Sequence, residues 1–82
     1  MMMNSPSGEI IARLKVVTYG EHLTLAMVKR KMSIQELSET TGISASTLIA
    51  YRKDKRKPSL ELAALISKAL RVSMDWMCGL RD

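Results

Sequence analysis

An all-α fold is what this sequence predicts: a compact bundle of about five helices with an extra N-terminal amphipathic helix. Strand signals are weak, because Phe is absent, aromatics make up 4% of the 82 residues, and apolar–polar alternation never persists. Apolar residues recur instead at three- and four-residue steps, the spacing of one helix face. Ser or Thr stands where each periodic stretch of the bundle begins, as a helix N-cap requires.

Residues 1–7 read as a flexible terminus, with Ser5, Pro6, Ser7 and Gly8 as turn formers. Ile10, Ile11, Leu14 and Val17 then share a face of an amphipathic helix over about 8–18, with Arg13 and Lys15 on the opposite side. Thr18 and Glu21 have the spacing of a capping box, and Gly20 weakens helix continuity. A break near 18–20 and a second helix to about Lys31 follow, with one long kinked helix as the alternative. Ser33 and Glu36 repeat the box before a short helix over about 33–40, which Gly42 ends. Ser44 caps a helix to about Lys53, in which Leu48 and Tyr51 share one face and Ser46, Ile49, Ala50 and Lys53 another. Pro58 and Ser59 open a helix carrying Leu62, Leu65, Ile66, Ala69 and Leu70, and Ser73 caps a last short one with Met74, Trp76 and Met77.

At 82 residues the chain predicts one domain, residues 8–82, with the main bundle at about 21–78. Cys78 and His22 are the sole cysteine and histidine, which excludes an internal disulfide and a clustered zinc site. No metal and no cofactor is expected. The absence of a signal peptide or of an apolar run near ~18 residues predicts a soluble protein of a bacterial cytoplasm, without a membrane partner. Nucleophile–base pairs and phosphate-cradling glycine loops are missing, so an enzyme is not expected, nor is a small-molecule effector evident. His22 reads as a surface helix residue, Cys78 as a small apolar contact or, less simply, a redox-sensitive thiol, and Trp76 as an anchor at the core edge or a dimer interface.

The informative stretch is residues 34–53. A helix-turn-helix needs a small residue where the helices cross, a glycine for the turn, and apolar residues locking the pair, and Ser38, Gly42, Ile43, Leu48 and Tyr51 fill these roles. With Met32-Ser33, Leu37, Gly42-Ile43-Ser44, Lys55-Arg56-Lys57-Pro58-Ser59, Leu60, Leu62, Ala69-Leu70, Val72-Ser73 and Asp75-Trp76-Met77, the chain from about Leu23 to Met77 resembles the lambda-repressor-like, Cro-type helix-turn-helix family. That resemblance implies a five-helix bundle that docks its third helix in the DNA major groove, usually as a homodimer on a palindromic operator. It also marks departures: Ile34 stands where the family usually has a bracing Gln, and Arg52 and Asp54 replace a common Glu and Gly.

Lys plus Arg number 13 against 8 Asp plus Glu, a net charge of +5. Eight of the 13 cations, Lys29 to Lys31 and Arg52, Lys53 and Lys55 to Lys57, flank the motif and are expected to meet phosphates. Within the resemblance, Ala45, Ser46, Thr47, Ile49, Ala50 and Lys53 are the candidate base contacts. Ser33, Gln35, Ser44, Arg52, Lys55, Arg56 and Lys57 are the candidate phosphate contacts. Bidentate Arg, Asn or Gln is absent from the recognition-helix start, so specificity would lean on methyl contacts to thymine, single hydroxyl bonds and operator shape. Ile10, Leu14, Val17 and Trp76 are the candidate dimer contacts, and the N-terminal helix either caps the core or packs against a second subunit. The expected function is a sequence-specific transcriptional regulator, a phage- or prophage-type repressor or Cro-like protein binding double-stranded operator DNA. The alternative is an interaction protein, an antitoxin or antirepressor, on the same scaffold.

Overall fold

The computed structural model describes residues 18–79. Among them are five helices and no strand: α1 Tyr19–Arg30, α2 Ile34–Thr41, α3 Ala45–Arg52, α4 Leu60–Leu70 and α5 Met74–Met77. The predicted helix over about 8–18, with Ile10, Leu14 and Val17, lies outside the described residues apart from Thr18. Thr18 belongs to the next element: its extended backbone (ψ 163°) and its capping box with Glu21 start α1. The kinked-helix alternative is thereby excluded at this point, because an extended N-cap cannot sit inside a helix.

Every start follows the same local chemistry. Ser33, Ser44, Ser59 and Ser73 each accept a backbone N–H from the first turn of their helices, and Ser33 and Glu36 complete a reciprocal box. Removing the exposed Ser59 hydroxyl, which accepts from the Leu62 N–H at 3.2 Å, leaves an α4 donor without its protein partner. Ser59→Ala is expected to destabilise the domain by about 1 kcal/mol, read as a lower urea midpoint at unchanged slope.

Three helix ends use left-handed residues that are not glycine: Lys31 (φ 55°), Asp54 (φ 60°) and Arg71 (φ 59°). Each carries the paired terminal bonds of a Schellman turn, as in Met32 N–H to Met27 O, Lys55 N–H to Ala50 O and Val72 N–H to Ser67 O. Lys31-Met32-Ser33 and Arg71-Val72-Ser73 are the same connector used twice: a left-handed cation, an apolar residue, then the serine cap of the next helix. Gly42 (φ 79°) closes α2, where a side chain at positive φ would be strained.

The core is built from Leu23, Ala26 and Met27 of α1, Leu37 of α2, Leu48 and Tyr51 of α3, Ile66 and Leu70 of α4, Met77 of α5, and Ile43 from the turn. α1 packs on α3, α4 and α5, while α2 lies against α3 and α4. His22 is not a surface residue. It is buried, its Nδ1 lies 3.1 Å from the Thr18 carbonyl, and its ring meets Trp76 edge-on at 4.7 Å. Its position on α1 turns it toward α5, a contact between distant segments that helical spacing does not reveal. Trp76 is half-buried against the core, and Cys78 is exposed rather than an apolar packing residue.

Candidate nucleic-acid interface

α2, the turn and α3 form the predicted helix-turn-helix. Ser38 donates its hydroxyl proton to the Ile43 carbonyl, which ties the turn to α2 at the crossing point. Thr41 reinforces it by accepting from the Ile43 N–H at 3.2 Å. Leu37, Ile43, Leu48 and Tyr51 are buried beneath, so α3 is held by its apolar face while its other face stays accessible.

On that accessible face Ala45, Ser46 and Lys53 are exposed, and Thr47, Ile49 and Ala50 are half-buried. Ser44 is less free than its exposure implies. Its oxygen accepts from the Thr47 N–H at 3.2 Å while its proton goes to Thr47 Oγ1 at 2.8 Å. Thr47 therefore keeps a hydroxyl proton to give away, whereas that of Ser44 is already engaged. Ser33 differs: its oxygen accepts from the Glu36 N–H at 3.1 Å, leaving its own proton free at the N-terminus of α2.

The basic residues divide into groups. Lys31 and Arg52 line one groove together with Ser33 and Ile34, which places two cations beside the first turn of α2. Lys53, Lys55, Arg56 and Lys57 are exposed beyond the end of α3. Arg30 is otherwise engaged: its guanidinium donates to the Leu70 carbonyl at 2.8 Å and the Arg71 carbonyl at 2.9 Å. It caps the negative end of α4, so its guanidinium is held against that helix end while Lys29 and Lys31 on either side are exposed.

Ile34 is half-buried against the core, so apolar packing stands where a polar brace is usual in the family. Gln35 is exposed and borders a groove with Ser33, Ile34, Ser38, Glu39 and Ala45. Glu39 is not singled out by the sequence, yet it brings a carboxylate beside the start of α3. Its position on the α2 face shared with Gln35 is the one available signal.

Asp54 has a second role besides its left-handed turn. Its Oδ1 accepts from the Gly20 N–H at 2.9 Å, so the carboxylate joins the first turn of α1 to the end of α3. A Cβ on Gly20 would lie 2.7 Å from Asp54 Oδ2 and closer still to the Arg52 carbonyl oxygen. Gly20 thus marks a backbone crossing beneath the recognition helix. Nearby, burial pushes the Tyr19 phenol pKa well above its ordinary value, with Cys78 and Tyr51 adding to the shift, so Tyr19 stays neutral.

Comparisons with known proteins agree with this architecture. A family model described as helix-turn-helix matches residues 23–77. The uncharacterized HTH-type transcriptional regulator YobD of Bacillus subtilis (strain 168) is 28% identical over 64 residues, which cover 78% of this chain and 57% of that protein. Replication factor C small subunit of Thermococcus kodakarensis is 46% identical over 41 residues, 50% of this chain but 5% of that protein. The chain therefore spans 57% of the first relative's length and a small fraction of the second's. No solved structure matches it. No described helix is long and apolar enough to cross a membrane. With the motif, its buried locking residues and the match over 23–77 in agreement, the chain belongs to the lambda-repressor-like helix-turn-helix family of DNA-binding proteins.

Proposed function

We propose that this protein is a sequence-specific transcriptional regulator, of the phage- or prophage-type repressor or Cro-like kind, that binds a palindromic operator as a homodimer. The observation that carries the reading is α3 itself: a helix locked underneath by Leu48 and Tyr51, accessible at Ala45 and Ser46, and followed by exposed Lys53, Lys55, Arg56 and Lys57. Ala45, Ile49 and Ala50 supply methyl groups that suit the thymine methyl, while Ser46 and Thr47 supply single hydroxyl bonds. Thr47 is the better donor of the capped pair, because the Ser44 proton is engaged. Lys53 reaches a base or a phosphate from the end of the helix. Arg52, Lys55, Arg56 and Lys57 neutralise backbone phosphates, joined by Ser33 and Gln35 at the start of α2, with Ser44 serving chiefly as the helix cap. Such a helix discriminates modestly through direct contacts, so the deformability of the operator and half-site spacing carry much of the specificity.

Operator selection followed by fluorescence anisotropy across a salt series tests this reading. Tight, sequence-dependent binding with a steep salt slope is expected. Each of Lys55→Ala, Arg56→Ala and Lys57→Ala is expected to lower that log–log slope by about 0.9 for every phosphate left without its cation, while leaving base preference unchanged. Weak binding indifferent to sequence would overturn the regulator in favour of the alternative, an antitoxin- or antirepressor-like interaction protein. Leu25 and Val28, 51% and 69% exposed on α1, are the apolar surface such a partner would use.

A further inference from the structure

Asp54 is the one acidic residue in a run of cations, with Arg52 and Lys53 before it and Lys55, Arg56 and Lys57 after it. Charge alone would pair it with a neighbour and take that cation away from a polyanion. The structure turns it elsewhere: Oδ1 accepts from the Gly20 N–H at 2.9 Å, and Oδ2 lies so close to Gly20 that a Cβ there would approach it to 2.7 Å. Both carboxylate oxygens thus face the first turn of α1, 34 residues away along the chain. We propose that Asp54 is a positioning residue for DNA binding, which fastens residues 53–57 to α1 and so sets how many phosphates their cations reach together.

The backbone shows why a single tie matters here. The Asp54 N–H donates to the Tyr51 carbonyl at 3.1 Å and the Lys55 N–H to the Ala50 carbonyl at 2.9 Å, which finishes α3. Among the described hydrogen bonds, none holds the backbone of Arg56, Lys57 or Pro58. The course of this segment therefore depends on its two ends, the left-handed turn at Asp54 (φ 60°) and the Ser59 cap of α4. Lys57 borders a groove that Thr18, Tyr19 and Asp54 also line, so the segment runs beside the start of α1, where the tie is made. A segment held in place before binding loses less freedom when it meets the phosphates. By charge alone an acid at this place opposes a polyanion, and its removal would tighten binding. Positioning predicts the opposite sign for a variant that loses the acceptor.

The proposal rests on the reading of Lys55, Arg56 and Lys57 as phosphate contacts. Anisotropy titrations of a fluorescein-labelled, mixed-sequence DNA duplex across a salt series compare the wild-type chain with Asp54→Asn, Asp54→Gly and Ser73→Ala. Asparagine tolerates the left-handed turn and keeps the acceptor oxygen without the charge, whereas glycine eases the turn and has no acceptor. Ser73→Ala removes the α5 cap, a 3.1 Å bond from the Trp76 N–H, and controls for lost stability. Asp54→Asn and Ser73→Ala are expected to keep the wild-type slope, with Asp54→Asn binding at least as tightly as wild type. Asp54→Gly is expected to lower the log–log slope by about 0.9 for each phosphate no longer reached, which at about 0.1 M salt is roughly an eightfold loss of affinity per contact. A glycine variant with the wild-type slope and unweakened binding would overturn the proposal, and so would an equal loss in Asp54→Asn or in Ser73→Ala. Wild-type protein that leaves the duplex unbound would instead reject the phosphate reading, and the proposal with it.

Discussion

Truncating Leu48 to alanine is expected to destabilise the domain by about 3 kcal/mol. Leu48 is fully buried on α3, amid a core shared with Leu37 and Tyr51. Its removal leaves a cavity at the junction of the two motif helices. A domain of this size loses roughly 4–8 °C of Tm per kcal/mol, so a fall of roughly 12–24 °C is expected by calorimetry or circular dichroism. DNA binding should weaken with it, because the side chain that holds α3 to the bundle also sets where its accessible face points. A shift of only a few degrees would mean that neighbouring side chains collapse into the space. Leu60→Ala supplies the contrast: with 76% of its surface exposed, Leu60 buries little, and its truncation is expected to change stability by only about 0.5 kcal/mol.

Gly20→Ala is expected to reverse the usual sign of that substitution. In an unconstrained helix interior alanine is favoured over glycine by about 1 kcal/mol. Here the added methyl meets the Arg52 carbonyl and approaches Asp54 Oδ2 to 2.7 Å, so α1 and the end of α3 must separate. Separation also breaks the 2.9 Å bond from the Gly20 N–H to Asp54. Overpacking and the broken bond together are expected to destabilise by about 3 kcal/mol, measured as a drop in the urea midpoint. A stabilised Gly20→Ala chain would show that no close crossing exists. Asp54→Gly, which removes the bond but eases the left-handed turn, should lie between the two and preserve the fold.

The two variants probe different kinds of information. Leu48 is legible as a core residue from its spacing relative to Tyr51 and from the motif offsets around Gly42. Helix starts are equally legible: Thr18, Ser33, Ser44, Ser59 and Ser73 all cap the helices assigned to them, since a cap depends on residues three or four apart. Gly20 reads from sequence only as a weak point in a helix. Its actual constraint comes from the carbonyl of Arg52, far along the chain, which local patterning does not contain. The same holds for Arg30, whose charge points to phosphate while its guanidinium serves the carbonyls of Leu70 and Arg71. His22 likewise finds its place only when Trp76 closes over it.

For the candidate interface, sequence locates the helix and its accessible residues, because α3 repeats the apolar–polar pattern that burial enforces. It does not separate free hydroxyls from engaged ones, a distinction that rests on the Ser44 proton reaching Thr47. The sequence by itself determined the all-helical class, the order of the helices, their caps and the motif, since these follow from interactions along a few residues of chain. Tertiary structure alone decided where α1 crosses α3, that Arg30 caps the end of α4, and how Asp54 joins distant helix ends. Those outcomes depend on through-space packing and hydrogen bonds, whose partners are set only once the helices have found one another.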